Sequence, residues 1–340
     1  MTDSYGFSAT ELRMPKAIIV MPILFAAMLS IILIGQVQAQ SEQFCCDCPL
    51  KYTNAGTTVD DWFRLRDQYC DAYGNLKSTS TTGDSATRQA KTVKSMPYPR
   101  QELLTPVDSN LGKFVILDTR EPGKYGSGHI AGARNLYWRD LQTDGSLDPA
   151  RAESALRKLG IENSDSLLIY GEKRDDVSSV FWALSYLGHR DLSLLEGNLD
   201  SAQAAGVQMD RDIPIVKDSN YTIKIVPWLL VSANTLAGWL NQSNVHILDA
   251  RDWVDYGRSK LTNAYPLDVE LLYKDGKLSD AATLRDLFSR HGLDKNGTQL
   301  VYGTPQAYSL FYSLKLMGYN ATLLEGDWWQ ETELVVSEIK

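Results

Sequence analysis

The apolar run Phe114-Val115-Ile116-Leu117, closed by Asp118-Thr119-Arg120, returns as Val245-His246-Ile247-Leu248 closed by Asp249-Ala250-Arg251. Three more blocks return in the same order. Gly160-Ile161-Glu162-Asn163 becomes Gly292-Leu293-Asp294-Lys295, and Leu168-Ile169-Tyr170-Gly171 becomes Leu300-Val301-Tyr302-Gly303. Leu194-Leu195-Glu196-Gly197 becomes Leu323-Leu324-Glu325-Gly326. The offsets are 131, 132, 132 and 129 residues, the mark of one domain duplicated.

Between these runs the apolar residues change period. Ala152, Ala155, Leu156 and Leu159 keep a helical spacing, and Gly160 stands where a C-cap belongs. Val177, Val180, Phe181, Leu184 and Leu187 repeat that pattern up to Gly188. Leu284, Leu287 and Phe288, then Leu310, Phe311, Leu314 and Met317, do the same in the second copy. Continuous apolar strands alternating with amphipathic helices predict an α/β fold, each copy a parallel sheet covered on both faces. The stripes are core rather than cofactor boxes.

Outside the repeat the chain changes character. Residues 76–100 are rich in Ser, Thr, Lys, Gly and Pro and read as a flexible linker. Residues 40–75 form a small segment holding all four cysteines, Cys45, Cys46, Cys48 and Cys70. Residues 1–39 hold an uncharged run, Ala17 to Gly35, preceded by Arg13 and Lys16 and followed by Val37-Gln38-Ala39. Its nineteen residues suit a cleaved signal peptide or a retained membrane anchor, and both readings stay open. Either one sends the remainder out of the cytoplasm, to be secreted or held on the outer face of the cell membrane. The duplicated domains are expected over 101–215 and 220–336.

Four acceptor triplets for N-linked carbohydrate, at Asn220, Asn241, Asn296 and Asn320, agree with export, as do cysteines crowded beside the export signal. With 34 basic against 42 acidic residues the net charge is -8, which argues against binding nucleic acid through bulk charge. No phosphate loop or dinucleotide fingerprint occurs, and no cofactor is expected.

The blocks Asp118-Thr119-Arg120, Gly128-His129-Ile130-Ala131-Gly132-Ala133, Leu168-Ile169-Tyr170 and Leu195-Glu196-Gly197 resemble the signature blocks of rhodanese domains. The two copies together resemble the tandem rhodaneses, which include thiosulfate and mercaptopyruvate sulfurtransferases. The resemblance covers residues 101 to 336 and is weaker in the second copy, where Gly257 to Ala264 keeps the glycine-rich turn only loosely. It implies a cysteine after the strand that ends in tyrosine, whose thiolate carries sulfur as a persulfide. That chemistry needs a thiolate of lowered pKa, inward-facing amides and a helix N-terminus behind it. Gly171 and Gly303 stand at the two cysteine positions.

The loops differ in other ways. Glu172, Lys173, Arg174, Asp175 and Asp176 place three acids against two bases, and Asp175 or Asp176 is expected to cap the following helix and fill the anion site. Thr304 and Gln306 belong to the second cradle, where Pro305 removes an amide. Gly303 to Gly318 is 15 residues against 17 for Gly171 to Gly188, which predicts a second loop shorter by two. Asp118 and Asp249 are expected to accept from backbone amides, with Arg120 and Arg251 pairing locally and His129 a structural donor. His189, His246 and His291 are scattered singly, so no histidine metal site is expected. Trp328 and Trp329 are expected to pack beneath the second copy.

The cysteines have three open fates: two disulfides, a four-thiolate metal site, or a thiol that passes sulfur to the domains. The leading expectation is a non-catalytic exported module binding a protein or a small anion, tied to the membrane if its first helix is uncleaved. The alternatives are a sulfur-handling enzyme using the N-terminal cysteines and a structural envelope glycoprotein.

Overall fold

Short runs rich in leucine, valine and isoleucine form the central strands. The computed structural model describes residues 96–327, 330 and 335–337. The first half builds a sheet from β1 (Leu104–Thr105), β2 (Val115–Asp118), β3 (Arg134–Asn135), β4 (Leu167–Tyr170) and β5 (Leu192–Leu195), in the order β1-β5-β4-β2-β3. The second half uses β6 (Leu230–Val231), β7 (Val245–Asp249), β8 (Ala264–Pro266), β9 (Thr298–Tyr302) and β10 (Asn320–Leu324), in the order β6-β10-β9-β7-β8. Every pairing in both sheets is parallel, and the second order is the first with each strand advanced by five.

Helices cover the faces. They are α1 (Pro122–Ser127), α2 (Pro149–Lys158), α3 (Arg174–Tyr186) and α4 (Leu199–Ala204), then α5 (Ala233–Leu240), α6 (Trp253–Arg258), α7 (Ala281–Arg290) and α8 (Gln306–Leu316). Asp148 caps α2 by accepting from the Arg151 amide, and Asp280 caps α7 through the Ala282 and Thr283 amides. With helices on both faces, all four residues of β4 are buried, which explains their unbroken apolar character. Among the described residues no helix is long and apolar enough to cross a membrane, and Ala17 to Gly35 lies outside them.

The two halves share one core. The largest hydrophobic cluster includes Val180, Phe181, Trp182 and Leu184 from α3 together with Tyr308, Phe311, Tyr312 and Leu314 from α8. The connection between the halves is also tied down: Lys224 and Val226 donate their amides to the carbonyls of Leu187 and Tyr186 at the end of α3.

One expected boundary moves. Residues 98–100, read from composition as linker, are part of the body. The Tyr98 hydroxyl donates to the Ser279 carbonyl at 2.9 Å, and the Arg100 amide donates to the Leu316 carbonyl at 3.0 Å. Polar composition hid this because the anchoring uses one aromatic ring and backbone groups. The expected signal or anchor, the cysteine segment, Trp328 and Trp329 lie outside the described residues.

Candidate functional site

In parallel α/β sheets ligands collect beyond the carboxyl ends of the strands, where helix N-termini converge. Here those ends are the connections β4 to α3 (Gly171-Glu172-Lys173) and β9 to α8 (Gly303-Thr304-Pro305). Each is three residues long. The second loop is therefore not shortened; the two missing residues fall in the helix, which has 11 residues in α8 against 13 in α3.

Each loop rests on the same buried knot. The Arg120 amide donates to Asp118 Oδ1 at 3.0 Å, its Nη2 donates to Asp118 Oδ2 at 2.6 Å, and the same Nη2 donates to the Gly128 carbonyl at 2.7 Å. The Tyr170 hydroxyl donates to Asp118 Oδ2 at 2.6 Å and accepts from the Ile130 amide. In the second half Arg251 contacts Asp249 at 3.0 Å through its amide and 2.6 Å through Nη2, which also reaches the Ser259 carbonyl. Tyr302 accepts from the Leu261 amide there. Both aspartates are fully buried, so their charge is held by these donors, and deleting one partner of such a pair costs about 3–5 kcal/mol. Burial, and then the neighbouring aspartate, push both tyrosine hydroxyls well above their ordinary pKa. They remain donors at any physiological pH.

His129 is buried beside this knot. Its Nδ1 lies 3.0 Å from the Tyr125 carbonyl, and its ring stacks on Tyr125 with centroids 3.9 Å apart.

The two loop glycines, Gly171 and Gly303, are closely approached by neighbouring side chains. A Cβ on Gly171 would lie 2.2 Å from Thr119 Oγ1 and 2.8 Å from Val177 Cγ2. A Cβ on Gly303 would lie 2.5 Å from Arg251 Cγ, and its φ of +89° is itself unfavourable for an L side chain. The Thr119 hydroxyl is buried with no hydrogen-bond partner, close to where a side chain on residue 171 would begin. The sequence places Thr119 inside the block Asp118-Thr119-Arg120 without giving it a role, although its replacement by Ala250 in the second copy marks it.

Two charges of the first loop are taken up by pairs outside it. Glu172 pairs with Lys124, and Arg174 pairs with Glu270 of the other half while covering the Tyr273 ring at 4.3 Å. Neither Asp175 nor Asp176 caps α3: the N-cap is Lys173, and no side chain closes it. Asp175 instead accepts from the Ser309 hydroxyl on α8, so the expected carboxylate in the anion site is spent on the contact between halves. Burial raises the pKa of both Asp175 and Asp176. Lys173 is exposed, whereas Thr304 and Gln306 are half-buried beside Gly303.

A shallow cleft between the halves is lined by Trp138, Ser179, Trp182, Tyr308 and Glu325. Glu325 accepts from the Tyr308 hydroxyl at 3.0 Å and from the Leu147 amide, and burial raises its pKa. Its counterpart in the repeat, Glu196, is exposed, so the repeated Leu-Glu-Gly block conceals two different environments. Among the described residues no group of three His, Cys, Asp or Glu side chains is placed to hold a metal ion. Cys45, Cys46, Cys48 and Cys70 lie outside the described residues, and no other cysteine occurs in the sequence. The four acceptor asparagines, Asn220, Asn241, Asn296 and Asn320, are all exposed.

Residues 100–205 match the family model of the rhodanese-like domain. The "Rhodanese" fold of SseA from Escherichia coli, a 3-mercaptopyruvate sulfotransferase, superposes with a TM-score of 0.57 at 20% identity, covering 66% of this chain and 98% of that one. The fold is that of the rhodaneses. The anaerobic ergothioneine biosynthesis enzyme from Chlorobium limicola is also similar, with a TM-score of 0.61 at 17% identity over 70% of each chain. By sequence, the sulfur carrier protein TtuD of Thermus thermophilus is 23% identical over 248 residues, 62% of this chain and 85% of that protein. A thiosulfate sulfurtransferase of Pseudomonas aeruginosa is 24% identical over 160 residues, 45% of this chain and 59% of its own.

Proposed function

We propose that this chain is an exported tandem rhodanese-like protein that serves as a non-catalytic binding or interaction module. The observation that carries this reading is steric as well as chemical. Both loop positions are glycine, and the space a reactive side chain needs is taken by Thr119 in one half and Arg251 in the other. Nucleophilic sulfur transfer needs a thiolate at the mouth of the amide loop. Export rests on the uncharged run Ala17 to Gly35 and the basic residues ahead of it.

A second reading is favoured by the relatives, whose names are sulfur carrier protein and thiosulfate sulfurtransferase. In it a thiol from Cys45, Cys46, Cys48 or Cys70 supplies the missing nucleophile from a segment tethered to the body.

Transfer of sulfur from thiosulfate to cyanide by the full-length chain separates the two, measured before and after all four cysteines are changed to serine. The module reading expects background rates from both proteins. Turnover that vanishes with the cysteines establishes the second reading. Turnover that survives their loss overturns both.

A further inference from the structure

One buried hydroxyl in the second sheet has no bonding role in the fold. Thr322, in the middle of β10, is fully buried, and its hydroxyl has no hydrogen-bond partner. The first half shows what that position ordinarily does. Its counterpart on β5 is Ser193, whose hydroxyl meets Thr105 Oγ1 on β1 at 2.7 Å. The register places Thr105 beside Leu195 and Val231 beside Leu324, so Val231 has replaced the partner in the second half. A valine at 322 would fill the same volume without stranding a buried hydroxyl. Threonine there is a cost that the packing does not explain.

The hydroxyl does complete the triplet Asn320-Ala321-Thr322. Asn320 opens β10 and is exposed, while Thr322 points inward two residues later. An acceptor triplet is read on the extended chain during export, before the strand docks, so a hydroxyl that ends up buried still serves. The neighbouring triplets gather at the same place. Thr298, third residue of Asn296-Gly297-Thr298, pairs with Asn320 across the sheet and with Val245, and Asn241 lies four residues before Val245. Asn241, Asn296 and Asn320 thus sit together at the amino ends of three adjacent parallel strands, opposite the end that carries Gly303. Asn220 belongs to the amino end of the first sheet, through the Thr222 amide bonded to Asn163 just ahead of β4.

On the export reading above, we infer that Asn320 carries an N-linked glycan, and that the amino end of the second sheet is a sugar-covered face. The buried Thr322 hydroxyl then has a role that its packing does not give it. The step joins the Asn320 amide nitrogen to the anomeric carbon of a sugar held on a lipid phosphate donor. The bond from that carbon to the phosphate oxygen breaks, its electron pair leaves with the phosphate, and one amide proton passes to a base. Nothing is oxidised or reduced.

The test is peptide mass mapping of the full-length chain recovered from the cells that make it, with Thr322→Val, Thr322→Ser and Asn320→Gln alongside. The wild type is expected to show the Asn320 peptide heavier by the mass of a glycan. Thr322→Val and Asn320→Gln lose that mass, and Thr322→Ser keeps a modified fraction. The Thr322→Val body should melt no lower than the wild type treated to remove sugar, and up to about 2–4 °C higher. An exported chain with an unmodified Asn320 peptide overturns this inference and leaves export standing. A Thr322→Val variant that keeps the mass, or that melts lower, overturns it too. A chain recovered only from the cytoplasm instead refutes the export reading.

Discussion

Gly171 and Gly303 are alike in sequence and unlike in what holds them empty. Gly171 has an ordinary backbone and is blocked by the Thr119 hydroxyl, whereas Gly303 combines a positive φ with the Arg251 stem. Gly171→Cys is therefore expected to lose about 1–3 kcal/mol through overpacking. Thr119→Gly in the same chain should restore most of that loss, a coupling that denaturant unfolding of the four-protein cycle measures directly. Gly303→Ala has no single relieving partner, and its backbone adds about 1–2 kcal/mol to the steric term. The two glycines were singled out from the chain because the family resemblance points to their positions. The obstruction was not, since the contact from residue 119 to residue 171 depends on how β2 lies against β4.

At the scale of elements, α3 and α8 face each other, and Asp175 in the first turn of α3 is half-buried against Ser309. Burial holds its pKa above the usual aspartate value. A carboxyl whose folded pKa exceeds its unfolded one adds stability below the unfolded value and loses it as pH rises through the folded value. Asp175→Asn should therefore raise the melting temperature at pH 7, by up to about 4 °C, and flatten its fall across the acid range. Melting curves from pH 4 to pH 7 give both numbers. The strands β2, β4, β5, β7, β9 and β10 and the long helices α2, α3, α7 and α8 were readable because apolar spacing is imposed by burial. The short helices α1 and α6 were not, as six residues make too few turns to show a period. The expected cap at Asp175 or Asp176 failed for a physical reason: a carboxylate that finds a hydroxyl on a packed neighbour has no need of its own helix's amides.

Across the whole molecule, the core that runs from Phe181 and Trp182 through Tyr308 and Tyr312 makes the two halves one unit. Inter-domain contacts of this apolar kind couple unfolding. Calorimetry is expected to show one transition with equal calorimetric and van't Hoff enthalpies, and residues 101–215 alone should fail to melt cooperatively. Two resolved transitions would disprove the coupling. The spacing of repeated blocks predicts duplication, and two sheets of one strand order agree with it, yet the pairing of the halves carries no periodic signal. The hint lay in α3, where eight consecutive residues from Val177 to Leu184 are buried and uncharged, too many for a helix covering only its own sheet. The path of the chain into this body gives the shared core a mechanical meaning. Tyr98 and Arg100 hold on to the second half, while Leu103 accepts from the Tyr312 hydroxyl just before β1 enters the first. Tension arriving from upstream is therefore met first by bonds to the second half, before it reaches β1 of the first.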